Sequence, residues 1–346
     1  MTLSIDARAK EMKAAGLNVI GFGAGEPDFP TPQHICDAAK EAIDLGMTRY
    51  TPAAGTKELR KAICEKLRRD NDMTYTYGDI LVSNGAKHSL FNIFQAILDP
   101  GDEVLIPTPC WVSYPELVRM AGGVPVFIPA TEETNFIPTN KDIASRVTRR
   151  TKAIVITSPS NPNGSVWEQE QLQFVADLAV SHPFFVVSDE IYEKLIYDGR
   201  KHLSIAQLGE QIKSQTFLVN GVSKAYAMTG WRIGYVAGPR NVISAMSSFQ
   251  SQATSNPNSI AQYAAMKALQ GDQSCVDAMV AQFEKRRDAM VEKINAIPGL
   301  SCRKPQGAFY IMMNIKQMLG KHYDGRMIES SLDFAELLLA EKQVAL

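Results

Sequence analysis

Short apolar runs rich in β-branched residues alternate with amphipathic segments along the first two thirds of the chain. The runs predict strands at Ile80–Ser83, Glu103–Ile106, Val124–Ile128, Ala153–Thr157, Phe184–Ser188, Thr216–Asn220 and Ile233–Ala237. Helical periodicity separates several of them, at Lys87–Leu98, Tyr114–Ala121 and Glu168–Ser181. This alternation predicts an α/β fold, with a mostly parallel sheet that is covered by helices on both faces.

The pattern changes after Gly238. Asn241–Gln270 and Asp272–Ile297 look helical, Gly307–Met313 resembles a strand, and Leu332–Glu341 looks helical again. A chain of 346 residues exceeds what one core usually supports. We therefore predict a large domain at residues 31–284 and a smaller α+β domain formed by residues 1–30 and 285–346. The sequence stops in the middle of an apparent strand, as if the C-terminal part were truncated.

Composition excludes several classes of protein. A net charge of −1 gives no electrostatic reason to expect nucleic acid or an anionic membrane as a partner. No apolar run is long enough to span a bilayer, and the N-terminus lacks the apolar core of a signal peptide. The five cysteines are scattered without metal-ligand spacing. These features predict a cytoplasmic protein without a metal site.

Two cations stand out because the segment from Gly221 to Gly238 contains no acidic residue. Lys224 is either a solvated loop lysine or a neutral, nucleophilic amine whose pKa is lowered by apolar surroundings. Arg232 adds a second cation without an acidic neighbour, and a phosphate would suit both because a guanidinium binds it in bidentate fashion. The two residues together favour a phosphorylated ligand.

Polar turns follow several predicted strands. Ser83–His88 joins a strand to a helix through a glycine, which leaves free N–H groups at a helix start and suits an anion. Asp189 follows an apolar strand and is either a helix cap or a ligand-facing carboxylate, and Tyr192 could reach the same ligand. Ser158–Gly164 is explained by turn chemistry alone, and Trp111 is either core or a stacking platform.

Taken together and in this order, these motifs resemble the fold-type I pyridoxal-5′-phosphate (PLP) aminotransferases of class I, closest to the bacterial aspartate aminotransferase subgroup. The resemblance covers nearly the whole chain. It is carried by the sequences GEPDF from Gly25, RYTP around Tyr50, SNGAK from Ser83, WVSYP from Trp111, SNPNG from Ser160, SDEIY from Ser188, SK at Ser223 and MTGWRIG from Met228.

The resemblance implies a role for each matching residue. Lys224 would form the Schiff base with PLP and shuttle the substrate proton, Asp189 would pair with the pyridinium nitrogen, and Tyr192 with Asn161 would bind the phenolic oxygen. The remaining implied roles are stacking on the ring by Trp111, phosphate binding by Arg232, Ala86, Lys87 and Ser223, phosphate binding in the neighbouring subunit by Tyr50, and substrate contacts by Gly25, Trp111, Asn161 and Lys87.

The reaction implied is ping-pong transamination through an aldimine, between an amino acid and a keto acid, by a homodimer with shared active sites. A lysine at the position of Lys87 contacts the distal carboxylate of dicarboxylic substrates in this subgroup, which favours aspartate with 2-oxoglutarate, with prephenate as an additional acceptor.

Two positions depart from the family pattern. Gly221 replaces a serine found in many members, and the C-terminal segment with the arginine that binds the substrate α-carboxylate is absent, as is much of the N-terminal arm. The chain as written is therefore expected to bind PLP but to discriminate substrates poorly.

Three other functions share part of this pattern. A β-lyase or decarboxylase of the same fold would share Lys224 and Asp189, because the cofactor supplies the chemistry. A PLP-binding module without activity, such as a ligand sensor, would retain only the fold. A dinucleotide-binding oxidoreductase is rejected, since the glycine pattern at Gly21–Glu26 lacks its last glycine and Pro27 follows it.

Overall fold

The computed structural model describes residues 2–23 and 25–346. The chain forms two compact units. The larger contains Asp28–Arg287 and Lys304–Ile311, and the smaller contains Met1–Pro27, Asp288–Arg303 and Met312–Leu346. The predicted domain bounds differ from these units at residues 28–30, 285–287 and 304–311.

The strands are β1 (Ile20–Gly21), β2 (Ile80–Ser83), β3 (Glu103–Thr108), β4 (Val124–Pro129), β5 (Thr151–Thr157), β6 (Phe185–Asp189), β7 (Thr216–Gly221), β8 (Gly234–Ala237), β9 (Ser301–Cys302), β10 (Met313–Asn314), β11 (His322–Tyr323), β12 (Arg326–Met327) and β13 (Val344–Ala345). The α-helices are α1 (Thr2–Ala14), α2 (Gln33–Asp44), α3 (Lys57–Asn71), α4 (Ala86–Ile97), α5 (Ser113–Met120), α6 (Asn140–Ala144), α7 (Gln169–Ser181), α8 (Glu210–Lys213), α9 (Arg240–Ala253), α10 (Ser259–Gln270), α11 (Ser274–Asn295) and α12 (Ser331–Lys342).

A seven-stranded sheet in the order β2-β8-β7-β6-β5-β3-β4 forms the centre of the larger unit. Neighbouring strands from β7 to β4 in this order are parallel, whereas β8 is antiparallel to both β7 and β2. The seven apolar runs predicted as strands are the seven strands of this sheet. The predicted α/β class with a mostly parallel sheet is therefore confirmed.

Alternate residues of the sheet strands pack into different cores, because successive side chains point to opposite faces. On one face, Val187 and Val219 pack with α4 and α5 residues such as Phe94 and Val118. On the other face, β5 and β6 pack against α7, and β7 and β8 pack against α3 and α10. Burial on both faces explains why the strands are continuous apolar runs.

Two predicted elements in the second half of the chain differ from the structure. The stretch Asn241–Gln270 is two helices, because α9 ends at Ala253 and Asn258 caps α10 by accepting a hydrogen bond from the Ala261 N–H. Gly307–Met313 is not one strand. Gly307 forms an isolated bridge with Ile196, and the apolar side chains that follow pack around Tyr192 instead of pairing in a sheet.

The smaller unit contains short strand pairs. β1 lies parallel to β13, with Ile20 opposite Val344, and β9 pairs with β10 in antiparallel fashion. Its small core joins Ile5, Ala9 and Val19 to α12 through Leu339. Within the described part of the chain, no helix combines the length and the apolar character needed to span a bilayer.

Candidate active site

The predicted site residues follow the carboxyl ends of adjacent parallel strands. Trp111 follows β3, Asn161 follows β5, Asp189 ends β6 and Lys224 follows β7. The chain leaves β3 toward β4 on one side and β5 toward β6 on the other, so the strand order reverses between β3 and β5. Ligands of open α/β sheets bind outside the carboxyl ends of the strands at such a reversal.

Asp189 is a buried carboxylate at this edge, with 4% of its surface exposed. The Tyr114 hydroxyl donates a hydrogen bond to its Oδ2 over 2.7 Å, and the Ile191 N–H donates to Oδ1 over 3.3 Å. Burial raises the pKa of Asp189 to about 6, although these hydrogen bonds lower it. An ionised carboxylate here lacks a full complement of partners, so it favours a cationic ligand.

Lys224 is half-buried in the loop after β7. Its Nζ lies 5.8 Å from the centroid of the Tyr192 ring and 5.7 Å from that of Phe309, and the charge of Lys224 lowers the pKa of Asp189. The amine therefore lies among aromatic rings with a carboxylate nearby. The prediction of a solvated loop lysine does not describe this environment.

Tyr192 is buried, and its hydroxyl forms a 2.6 Å hydrogen bond with the hydroxyl of Tyr310. Burial raises the pKa of Tyr192 well above its ordinary value, so the phenol keeps its proton. The ring makes edge contacts with Phe309 and Tyr310 at centroid distances of 5.5 and 5.7 Å. These contacts fix the position of the Tyr192 hydroxyl.

The glycine turn before α4 lies directly against Arg232. Gly85 has φ of +87°, and a Cβ placed on it would lie 2.1 Å from Nη2 of Arg232. The same guanidinium donates to the backbone carbonyl oxygens of Thr229 and Asn84. A Cβ on Gly234 would lie 2.2 Å from the Ala86 nitrogen. Glycines therefore let the guanidinium and the start of α4 approach closely.

Helix α4 begins at Ala86, and its N-cap Gly85 offers no side-chain acceptor. The first N–H groups of a helix lack intrahelical acceptors, and the helix dipole adds positive potential there. Together with the exposed Arg232, the N–H groups of Ala86 and Lys87 form a cradle for an anion. We call Gly85, Ala86, Lys87 and Arg232 the anion cradle.

Trp111 and Lys87 are in contact, since Nζ of Lys87 lies 4.8 Å from the centroid of the indole ring. Trp111 also makes an edge contact with Tyr114, the hydrogen-bond donor to Asp189. Asn161 is half-buried in the turn after β5. The predicted stacking and substrate-binding residues Trp111 and Lys87 therefore belong to the neighbourhood of Asp189.

The remaining predicted residues differ in their surroundings. Ser223 is buried next to Lys224, and its carbonyl oxygen accepts from the Met228 N–H. Tyr50 is 91% exposed within the chain. Gly25 is exposed and belongs to the smaller unit. Their predicted roles stay predictions.

Two site residues escaped the sequence reasoning. The Tyr114 hydroxyl donates to Asp189 and lies 2.8 Å from the Thr157 hydroxyl, and Thr157 is the register partner of Asp189. In the sequence, Tyr114 belongs to the WVSYP motif and begins a predicted helix. Tyr310 lies in a predicted strand, and no local signal links it to Tyr192.

The sequence matches the family described as aminotransferase class I and II over residues 18–346. It is 50% identical over 344 residues to an aspartate aminotransferase of Bacillus sp. (strain YM-2), covering 99% of this chain and 87% of the relative. It is 47% identical over 346 residues to a probable aspartate/prephenate aminotransferase of Aquifex aeolicus (strain VF5), covering 99% of this chain and 86% of that relative.

Solved structures agree with the sequence matches. The fold resembles aspartate aminotransferase from Rhizobium meliloti with a TM-score of 0.95 and 46% identity, covering 99% of this chain and 86% of that one. It also resembles aspartate aminotransferase from Thermus thermophilus solved with maleate, with a TM-score of 0.93 and 44% identity, covering 99% and 87%. The predicted resemblance is confirmed.

Proposed function

The chain belongs to the class I and II aminotransferases, and from this premise we propose that it exchanges the amino group of aspartate with 2-oxoglutarate. It is a PLP-dependent aminotransferase that acts on amino acids and keto acids. The observation that carries the proposal is the buried Asp189 carboxylate beside the Lys224 amine, at the carboxyl ends of two adjacent strands.

The residues present fit PLP. The anion cradle suits its phosphate, because Gly85 and Gly234, where a Cβ would meet Nη2 of Arg232 and the Ala86 nitrogen, let the guanidinium and the start of α4 approach each other. The buried Asp189 carboxylate, which accepts hydrogen bonds from Tyr114 and the Ile191 N–H, suits a protonated ring nitrogen. The half-buried Lys224 amine among aromatic rings would supply the nucleophile for a covalent bond to the aldehyde.

Bound PLP supplies an electron sink that is conjugated with the substrate Cα. In the proposed roles, Asp189 holds the proton on the ring nitrogen, and Arg232 with the N–H groups of Ala86 and Lys87 anchors the phosphate. Tyr192 and Asn161 hydrogen-bond the phenolic oxygen, while Trp111 covers the ring. The Lys224 amine would take the proton from the substrate Cα and deliver it to C4′ of the cofactor.

Aspartate is favoured by the position of Lys87. Its ammonium lies over the Trp111 ring at the start of α4, where a second substrate carboxylate would find both a cation and helix N–H groups. The Thermus thermophilus relative was solved with maleate, a four-carbon dicarboxylate. Prephenate is a second candidate acceptor, because relatives such as that of Aquifex aeolicus are named for aspartate and prephenate together.

We also propose a homodimer in the cytoplasm. Tyr50 is 91% exposed, although an aromatic side chain is usually buried, and nearby Ile43, Leu45 and Met47 are exposed as well. A second copy of the chain would cover this surface, with Tyr50 reaching the partner's phosphate. Gly25 and Ser223 are proposed as a backbone contact for the substrate and a phosphate ligand.

The test is an absorption experiment on the purified protein loaded with PLP. We expect a visible band that aspartate bleaches in the absence of a keto acid, and that 2-oxoglutarate restores. Borohydride reduction and peptide mapping should place the covalent label on Lys224, and Lys224→Ala should bind PLP without any label.

Two results would contradict the proposal. A band that survives aspartate but is bleached by an aromatic or branched amino acid would refute the substrate. Loss of the amino group without recovery on adding 2-oxoglutarate would indicate a lyase or decarboxylase instead of a transaminase.

A further inference from the structure

Tyr310 is the hydrogen-bond partner of a proposed PLP-binding residue, yet nothing in the proposed reaction uses it. Its hydroxyl oxygen lies 2.6 Å from that of Tyr192, and either hydroxyl can be the donor. Its ring is 4.8 Å from that of Phe309, whose own centroid lies 5.7 Å from Nζ of Lys224. Only the Tyr192 hydroxyl therefore lies between the Tyr310 hydroxyl and the proposed position of the phenolic oxygen of PLP.

The backbone places Tyr310 at this point without sheet pairing. Ala308 is buried and adopts a positive φ of +54°. A Cβ on Gly307 would lie 2.6 Å from Pro159 and 2.7 Å from the Leu195 carbonyl oxygen. The tight passage of the chain past these residues turns the side chains of Phe309 and Tyr310 toward Tyr192.

Each hydroxyl group has one proton, so the direction of the Tyr192–Tyr310 bond decides what Tyr192 can do. If Tyr192 donates to Tyr310, its proton is not available to a ligand. If Tyr310 donates to Tyr192, the Tyr192 proton is free to be donated, and the accepted bond polarises the Tyr192 O–H and strengthens that donation.

We propose that Tyr310 is a positioning residue that donates its proton to the Tyr192 oxygen and thereby directs the Tyr192 proton toward the phenolic oxygen of PLP. This inference rests on the proposed function, because it assumes that Tyr192 binds that oxygen. Tyr310 acts only through Tyr192, so its effect must vanish when the Tyr192 hydroxyl is removed.

The consequence is measurable at Lys224. A stronger hydrogen bond to the phenolic oxygen would stabilise the negative charge of that oxygen. The oxygen would then attract the proton on Nζ less strongly when Lys224 is covalently bonded to PLP. Tyr310 should therefore lower the pH at which Nζ loses its proton, which is read as the pH midpoint of the visible band. The titratable groups that face Tyr192 are Lys224, Asp189, Tyr114 and Tyr310, and a substitution of Tyr310 leaves the first three in place.

The experiment is a double-mutant cycle of Tyr310→Phe and Tyr192→Phe in the PLP-loaded protein. We expect Tyr310→Phe to raise the midpoint by about 0.3–0.7 pH unit, roughly a two- to five-fold change in proton affinity. Tyr192→Phe should raise it further, and adding Tyr310→Phe to Tyr192→Phe should change nothing more.

Tyr197→Phe is the matched control. Tyr197 belongs to the same buried cluster, and its hydroxyl donates to the Ala308 carbonyl oxygen instead of to Tyr192. It should lose stability but keep the wild-type midpoint. PLP binding and circular dichroism of each variant verify that the fold is retained.

The outcomes separate the inference from the proposed function. A lower midpoint in Tyr310→Phe means that Tyr310 competes for the Tyr192 proton, and an unchanged one means that it only packs. Either result refutes the inference while the function stands. A wild-type protein without a visible band, or a Tyr192→Phe variant without a shift, contradicts the proposed function itself.

Discussion

The buried Asp189 carboxylate favours a cationic ligand but lowers the stability of the cofactor-free fold. The unfolded chain loses the proton of this group near pH 4, whereas the folded chain loses it only at a pKa of about 6. Between these values the folded state binds more protons, so the free energy of unfolding falls as the pH rises. Above pH 6, the raised pKa of Asp189 lowers the free energy of unfolding by roughly 3 kcal/mol in total.

We therefore predict that Asp189→Asn stabilises the cofactor-free protein. An amide keeps an oxygen that accepts the Tyr114 hydrogen bond but carries no buried charge. The excess of its free energy of unfolding over that of the wild type, measured in urea, should be about 2 kcal/mol larger at pH 8 than at pH 4.5. The exposed Glu292→Gln serves as control, and an advantage that is equal at both pH values would refute the prediction.

At this scale, the sequence predicted the residues whose neighbours along the chain carry the signal. Lys224 stood out in a segment without acids, and Asp189 at the end of an apolar strand. Tyr114 and Tyr310 could not be found in this way, because each reaches its partner only in the folded chain. Tyr310 is 118 residues from Tyr192 in sequence.

At the scale of elements, the anion cradle depends on how closely a turn can approach a guanidinium. Gly85 adopts φ of +87°, and its missing Cβ leaves the space that Nη2 of Arg232 occupies. Gly101 adopts a similar φ of +92° in the turn before β3, but a Cβ there meets nothing within 4 Å. Both glycines thus have a positive φ that disfavours a side chain, but only at Gly85 would a Cβ also meet Arg232.

We predict that Gly85→Ala weakens PLP binding at least about ten-fold, whereas Gly101→Ala does not change it. Gly101→Ala should lose about 1–2 kcal/mol in the free energy of unfolding from its positive φ, and Gly85→Ala should lose more, because its φ of +87° and ψ of 161° lie in a region that only glycine normally adopts. Titration of the cofactor-free variants with PLP measures the difference. Equal affinities in the two variants would show that the position of Arg232 is not what the glycine protects.

The elements that could be predicted are those whose burial is uniform. The strands of the large sheet other than β4 are buried along most of their length and are plain apolar runs, so their assignment needed only local sequence. In β4 only Ile128 is buried. The break between α9 and α10 depends on Pro257 and the Asn258 cap inside an otherwise helical pattern. Ala308, Phe309 and Tyr310 are apolar or aromatic because they pack around Tyr192, and this run imitates a strand pattern.

At the scale of the whole larger unit, a buried polar network lies behind the site and joins segments that are distant in sequence. Ser188 and Asp189 are adjacent in β6 and point to opposite faces. Asp189 accepts from Tyr114, whereas Ser188 donates to Glu190, which also accepts from Ser204 and pairs with His202 over 2.8 Å.

Lys66 of α3 completes this network. It is 2% exposed, its ammonium forms an ion pair with Glu193, and it donates to Asn71, whose amide donates to the other oxygen of Glu193. Burial alone would raise the pKa of Glu193, but the charges of Lys66 and His202 outweigh it and lower that pKa. The network therefore holds α3 to the segment that follows Asp189.

We predict that Lys66→Met lowers the free energy of unfolding at pH 7.5 by about 3–5 kcal/mol, because Glu193 is left as an uncompensated buried charge. Lys66→Met combined with Glu193→Gln should recover most of the loss, since it removes both charges. Lys152→Met breaks the more exposed pair with Asp102 and should cost less than about 1 kcal/mol.

The lowered pKa of Glu193 stabilises the fold at pH values above the ordinary pKa of a glutamate. The loss of unfolding free energy in Lys66→Met should therefore shrink as the pH falls toward 4 and Glu193 becomes protonated. Urea unfolding of the four proteins at both pH values measures these terms, and a deficit that the second substitution does not restore would mean that Lys66 acts through packing and not through its charge.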